Sequence, residues 1–538
     1  MTPPNAIARR RFLAVTATLA GTAPVLAACG SKHAAHNSAT QNAKTKLPTY
    51  VPYNAIKPDF PANAAGAMPA YFSFPRSPKR AVTSPPAAGM DKVTLLTNTY
   101  TPPPPGMGSN QFWQQINKRI GATFALSLTP ADSYGAKMAT VTASGDVPDL
   151  VSLGGINIPH QPQVLATLFA DLSEYLAGDA VKDYPFLANM ATRPWTYTVA
   201  NGGIYAVPQP RAVSGKATFY RTDLVTAAGA NPNPASYDEF LALLRAVNNP
   251  KKNVWAISAY GPFVLSIVQE MLGVPNTWSV KNGEFVSAYS DERTKEALSK
   301  VASMFREGLI HPDTFSPTSN ARQLFLQGRT VMLNDGYAAW DLLANQLSDN
   351  VGALVEPKSD GGGDAPKYAG AAVQAITAVK KGLGASKTKK ILEVLNWLAA
   401  PIGTEEYLVR KFGVEGHDFT WKSGVPTLTT TGANETQMAL QYITDAPTVI
   451  GPGPKSRVTA QHDWHVRVTK NLVYNPAEGL FSDSNSSAGP TISKNITDVQ
   501  AAIMQGHKPV SSWDDAVKQW RSGGGDAIAR EYAKAYHK

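Results

Sequence analysis

A single cysteine, Cys29, in 538 residues leaves no partner for an internal disulfide. Beyond residue 28 no run approaches the ~20 apolar residues that a membrane-crossing helix needs. No segment repeats at a period of about 20–50 residues, which sets aside solenoids and propellers. There is no dense lysine–arginine stripe. The formal charge is +10, and it falls to +7 once Arg9, Arg10 and Arg11 are removed. That mild excess gives no nucleic-acid footprint. Catalytic signatures are missing too. No G-x-S-x-G occurs, and Gly451-Pro452-Gly453-Pro454-Lys455-Ser456 lacks the spacer of a phosphate loop. His462-Asp463-Trp464-His465 lacks the glutamate of a helical zinc motif. The Asp483–Ser487 stretch begins like a calcium loop but has Lys494 where the bidentate glutamate belongs. The sequence therefore points to no metal and no cofactor.

What is present begins at the N-terminus. Arg9-Arg10-Arg11-Phe12-Leu13 opens a short apolar run that closes on Leu26-Ala27-Ala28-Cys29. A positive cluster, a short apolar stretch and small residues before a cut site form a secretory signal over residues 1–28. The paired arginines look like a twin-arginine export signal. Leu-Ala-Ala-Cys resembles a lipobox, whose cysteine is diacylated, and two acyl chains hold a protein at a membrane surface far better than one. Residues 29–90, rich in Ala, Pro, Ser and Asn, then read as a lipid-anchored and mostly disordered tether. Tyr50, Tyr53, Phe60, Tyr71, Phe72 and Phe74 point to contact between part of that tether and the body.

From Asp91 the pattern becomes regular. Lys92–Leu96 is a predicted strand. Asn110 caps a predicted helix carrying Phe112, Ile116 and Ile120, and Gly121 ends it. Ala122–Leu128 and Leu150–Leu153 are further strands, with a helix over Tyr134–Thr142 between them. Strand, helix, strand, helix, strand implies a parallel sheet with right-handed crossovers. Ligands of such sheets lie off the carboxyl ends of the strands, here Asn98-Thr99-Tyr100 and Leu153-Gly154-Gly155. Downstream, Ser236-Tyr237-Asp238-Glu239 is a capping box. Asp291–Glu307 and Lys387–Ala400 are amphipathic helices, Val351–Val355 and Ala371–Val379 are strands, and two helices close the chain.

Several of these stretches, in this order, resemble family 1 extracellular solute-binding proteins of ABC transporters, in the LipO-like and alginate-oligosaccharide-binding branch. They are Gly145-Asp146-Val147-Pro148-Asp149-Leu150, Phe219–Leu224 with Ser236–Phe240, Phe305–Ile310 with Pro312-Asp313, Phe412–Trp421, Trp513-Asp514-Asp515 and Gly523–Asp526. The resemblance implies a helix-rich two-lobe α/β fold of the type II periplasmic-binding class, its lobes joined by crossover hinge segments. Residues 91–207 and 351–412 would form lobe one, and 208–350 and 413–538 lobe two. It also implies a monomer outside the cytoplasm that carries an oligosaccharide to ABC permease subunits and catalyses nothing. Two other readings stand beside it: an exported lyase or glycosidase, which needs two facing carboxylates, and a sensor lipoprotein on the same scaffold.

Sugar sites combine aromatic platforms with polar groups that bond hydroxyls. Tyr100, Trp340, Trp421 and Trp464 lie in or beside predicted loops and are the candidate platforms. Asn98 and Gly154 follow strand ends, Tyr260 follows another strand, and Arg211 follows a predicted crossover where it can bond a carboxylate or hydroxyl. Glu415 and His417 fall in the family-like Glu-Gly segment, where a structural role is the competing reading.

Overall fold

The computed structural model describes residues 37, 39–154, 158–316 and 319–536. The signal segment and Cys29 lie outside the described residues. Two sheets organise the rest. β1 (Lys92–Thr99), β2 (Thr123–Pro130), β3 (Leu150–Ser152) and β4 (Ala206–Pro210) enter the first. β5 (Lys216–Arg221), β6 (Trp255–Ala259), β7 (Thr330–Gly336) and β8 (Val351–Ala353) form the second, and β9 (Val373–Val379) returns to the first. The strand orders are β2-β1-β3-β9-β4 and β8-β5-β7-β6.

In the first sheet β1 runs parallel to both β2 and β3, as the strand–helix alternation requires. Adjacent residues of a strand point to opposite faces, so Leu95 and Leu96 enter two different cores. Leu95 joins Phe124, Ile391 and the inward face of α1 (Gln111–Ile120). Leu96 joins Tyr134, Met138 and Val141 of α2 (Ala131–Ser144). The Asn110 carboxamide accepts the Trp113 N–H at 2.7 Å, and Gly121 leaves α1 with φ +77°, the left-handed turn a glycine takes most readily. In the second sheet Leu333 pairs with Phe219 across β7 and β5, and both face Trp340. Met332 and its partner Ile257 face the opposite core. That core is closed by α3 (Tyr237–Val247) and α4 (Phe263–Met271). Ser236 Oγ accepts the Glu239 N–H at 3.3 Å as the expected cap requires, while Glu239 accepts the N–H of Ala235, one residue before the cap, at 2.9 Å.

The chain passes between the sheets at other points than expected. Gly352 of β8 pairs with Tyr220 of β5, so Val351–Ala353 belong to the second sheet and the return to the first comes between Leu354 and Val373. Pro208 and Pro210 still pair with β9. Residues 413–446 stay with the first lobe: Phe419 packs with Tyr407 and Leu408, while Met438, Leu440 and Ile443 join the core beneath β1. Ile450 already lies in the cluster of Trp340 and Trp464. The apolar pattern marks Val351–Val355 as a strand, but only its neighbours decide which sheet it joins.

Residues 44–90 also correct the disordered-tether expectation. The Thr49 and Val51 N–H groups donate to Gly178 and Ala188 carbonyls at 2.9 and 2.8 Å. Ala70 bridges Ile450, and Lys79 bridges Thr404. The Ala81 and Val82 N–H groups converge on the buried Glu406 carboxylate at 2.8–3.2 Å. Tyr71 and Phe74 are buried against Tyr407 and Phe419. This proline-rich segment makes little regular structure, yet it is held because its aromatic rings leave water.

The strap also touches a buried histidine. The Met68 N–H lies 3.4 Å from His465 Nδ1 on α5 (Lys455–Thr469). Burial, then the neighbouring His462, lowers the His465 pKa to about 4. The folded value lies below the unfolded one of about 6.5. The neutral ring therefore contributes stability that is present above about pH 6.5 and is lost as pH falls through 4. We expect up to about 3 kcal/mol to disappear over that window. Urea melts of the wild type and of His465→Gln at both ends of the window check this; the variant should show the smaller loss.

Candidate ligand-binding site

The topology brings the two carboxyl edges together. β4 runs antiparallel to β9, as does β3, so β4 ends on the edge where β3 ends. β5 is antiparallel to β7, and Lys216 at its start lies beside Gly336 at the end of β7. β6 is parallel to β7 and ends on the same side. Residues 211–215 join β4 to β5, a reach of at most about 17 Å. The carboxyl edges of the two sheets thus meet at one short link. A second crossing runs beside it: the Gly370 N–H donates to the Val213 carbonyl and the Arg211 N–H to the Ala372 carbonyl, each at 2.9 Å. Gly370 has to be glycine here, because a Cβ would stand 2.6 Å from Gly215 Cα.

On the first lobe's edge, Tyr100 directly follows β1 and is 54% exposed. Tyr442 meets it edge-on, with ring centroids 5.3 Å apart. Tyr442 is placed by its own backbone: its carbonyl accepts from Ser152 Oγ at 2.8 Å, and the next carbonyl, of Ile443, accepts from Thr377 Oγ1. Arg211 holds its guanidinium near enough to both phenols for them to act on its charge. Its side chain is exposed to solvent, yet burial by the flanking protein lowers its pKa, with Tyr100 and Tyr442 opposing and no carboxylate acting on it. Asn98 does not follow the strand end as expected: it is the penultimate residue of β1, paired with Thr129 and 3% exposed. Gly154 is buried because β3 packs closely on β9: a Cβ there would lie 2.7 Å from the Ala375 Cβ.

On the second lobe's edge, the Tyr260 hydroxyl accepts the Arg322 N–H at 3.4 Å, and Arg322 pairs with Asp335 at 2.8 Å. Lys216 Nζ stands 3.4 Å from the centre of the Phe263 ring. Burial lowers the Lys216 pKa to about 8, partly offset by Glu270. The arrangement presents the exposed Tyr100 ring and the half-buried Tyr442 on one side and a ring-backed cation with hydrogen-bonding groups on the other. It suits a polar, ring-bearing solute.

Three tryptophans expected as platforms lie elsewhere. Trp340 is 2% exposed and edge-on to Phe219 at 5.5 Å. Trp464 is 5% exposed, stacks on Tyr337, and its Nε1–H donates to the Leu354 carbonyl at 2.7 Å. Both fill the second lobe's core. Trp464 sits on α5, a helix whose polar sequence hides its inward face. Trp421 lies under the strap, with Arg76 4.6 Å above its ring and Phe74 beside it. Tyr442, Lys216 and Phe263 were not foreseen. Tyr442 lies in an irregular stretch without periodicity, and a lysine opening a strand ordinarily reads as surface. A separate recess of about 220 Å³, lined by Tyr289, Asp291, Trp513 and Arg521 among others, involves none of these residues.

Comparison with known proteins identifies the family and the fold. Residues 111–408 match the family described as "Bacterial extracellular solute-binding protein", more than half of the chain. The chain belongs to that family. The Lipoprotein LipO of Bacillus subtilis (strain 168) is 24% identical over 485 residues, covering 83% of this chain and 92% of LipO. The polygalacturonan/rhamnogalacturonan-binding protein YtcQ of the same organism is 22% identical over 468 residues, covering 83% and 91%. Among solved structures, the N-glycan transport solute-binding protein NgtS of Streptococcus pneumoniae superposes with TM-score 0.62 at 16% identity, covering 83% of this chain and 98% of NgtS. As in that solute-binding fold, this chain is two-lobed and mixed α/β. Among the described residues, no helix is long and apolar enough to cross a membrane.

Proposed function

We propose that this solute-binding protein holds a carbohydrate, an oligosaccharide, between its two carboxyl edges and delivers it to the permease subunits of an ABC importer. The observation that carries the reading is the edge-on Tyr100–Tyr442 pair just after β1, with the Arg211 charge close by. Tyrosine faces stack on the apolar faces of sugar rings, and a guanidinium without a carboxylate partner is free to bond hydroxyls or a uronate. YtcQ is by its name a polygalacturonan/rhamnogalacturonan-binding protein and NgtS an N-glycan transport solute-binding protein, which supports a saccharide as the ligand class. Export by the twin-arginine signal and acylation at Cys29 would keep a monomer at the outer face of the cytoplasmic membrane.

A thermal-shift screen of the purified protein against galacturonate, mannose and glucose oligosaccharides tests the reading. One class should raise the melting temperature with concentration and be recovered uncut. Tyr442→Ala should then weaken that ligand by about tenfold or more, close to 1.4 kcal/mol, and leave the melting temperature of the ligand-free protein nearly unchanged. Release of shorter sugars would instead identify the protein as a polysaccharide-cleaving enzyme.

A further inference from the structure

His417, Asp418 and Glu435 converge in the first lobe, away from the crossings. His417 Nε2 lies 3.2 Å from Glu435 Oε1 and 3.9 Å from Asp418 Oδ1. One ligand atom from each residue falls within 4.8 Å of the others. We propose that these three side chains bind a divalent transition cation of the zinc class, leaving one coordination position open to water.

The site is built before any ion arrives. Asp418 is fully buried, and Oδ2 accepts the Val414 N–H at 2.8 Å. Its other oxygen, Oδ1, is buried with no hydrogen-bond partner and is the atom turned towards His417. A buried carboxylate oxygen without a donor costs free energy that a bound cation recovers. Glu435 is 5% exposed. Its Oε2 accepts the Phe112 N–H at 3.1 Å, which leaves Oε1 for the shared centre. Thr429 Oγ1 donates to the His417 and Asp418 carbonyls at 2.8 and 3.2 Å, fixing the turn that carries both ligands. The packing around Asp418 admits no side chain at Gly413: a Cβ there would stand 2.3 Å from Asp418 Oδ2. Only His417 reaches solvent, with 31% of its side chain exposed, and through it water reaches the fourth position.

The ligand set selects the cation class. Zinc–nitrogen and zinc–oxygen bonds near 2.1 Å place tetrahedral ligand atoms about 3.4 Å apart. The present 3.2 and 3.9 Å lie within about half an ångström of that value, and the two carboxylates, within 4.8 Å of each other, would draw together on an ion. Two carboxylates and a neutral imidazole balance a divalent charge. Calcium and magnesium prefer six or more oxygens, and this site offers two and a nitrogen.

An ion here would brace the walls of the solute site. The Glu435 carbonyl accepts from Asn110 Nδ2 at 3.1 Å, and Thr101 Oγ1 donates to Gln437 at 3.0 Å. The bound metal would therefore tie the loop after Tyr100 to the segment leading into Tyr442.

The test uses the full chain, purified without a histidine tag and stripped with a chelator. Calorimetric titration with zinc chloride should show one site per chain, and calcium or magnesium chloride should give no heat at that site. Cobalt(II) should produce the visible absorption of a four-coordinate ion. His417→Ala, at a partly exposed position, keeps the fold by circular dichroism. It should weaken zinc at least about tenfold and abolish the cobalt spectrum. Asp418→Asn should do the same if it folds. Absence of a stoichiometric zinc site overturns the proposal, and so does zinc affinity unchanged in His417→Ala.

Discussion

Replacing Lys367 by methionine is expected to cost about 3–5 kcal/mol of stability. Lys367 is 3% exposed, and its ammonium stands 2.9 Å from Glu270 Oε2 and 3.3 Å from Glu356 Oε2. Both carboxylates are themselves buried. Burial alone would lower the Lys367 pKa. The charges of Glu270 and then Glu356 outweigh it and hold the lysine protonated, above its ordinary value. Glu356 also accepts from Thr218 Oγ1 at 2.6 Å, and Glu270 accepts the Tyr368 N–H at 2.9 Å. The methionine side chain would fill the space and leave two buried carboxylates without their cation. Burial already holds the Glu270 pKa above its ordinary value, and without the lysine it would rise further, so the deficit should shrink towards pH 5 as Glu270 takes up a proton. Urea melts at pH 7.5 and pH 5 read both effects. The triple variant Glu270→Leu, Lys367→Met, Glu356→Leu should recover most of the loss, because a buried ion cluster replaced as a whole by apolar groups is often neutral. A single variant indistinguishable from wild type would show that water reaches the cluster.

Phe74→Ala should lower stability by about 3 kcal/mol. Phe74 is 3% exposed, nearly parallel to Tyr407 at 5.9 Å and beside Trp421 at 6.3 Å. It belongs to a segment whose composition reads as a linker. A free tether would lose nothing on this substitution, so the melting curve separates the two descriptions. Limited proteolysis offers a second readout: cleavage within residues 44–90 should quicken in the variant, since Phe74 and the Glu406 contacts hold that stretch down.

The first half of the fold was legible because its signals are local. A capping side chain, a glycine after the last turn and a periodic apolar face act within a few residues, and α1, α2, α3 and β1 follow from them. Their order then forces a parallel sheet, because a crossover helix between strands admits little else. The site was legible only in part. Tyr100 and Arg211 come from rules about strand ends and crossings, whereas Tyr442 arrives from more than 200 residues further on and is placed by bonds to Ser152 and Thr377. Trp340 and Trp464 show the opposite failure: a large ring beside a turn looks the same in sequence whether water or another ring covers it.

By itself the sequence determined the α/β class, the cap and end of α1, the opening strand–helix alternation and the family resemblance. Tertiary structure alone decided that β8 belongs to the second sheet and that residues 413–446 stay with the first lobe. It alone decided that residues 44–90 strap the body, and that His417, Asp418 and Glu435 share a centre. Caps and periodicity are read within a few residues of each other. Sheet partners, burial of a lone aromatic and convergence of charged groups depend on segments distant in the chain, whose arrival no local pattern records.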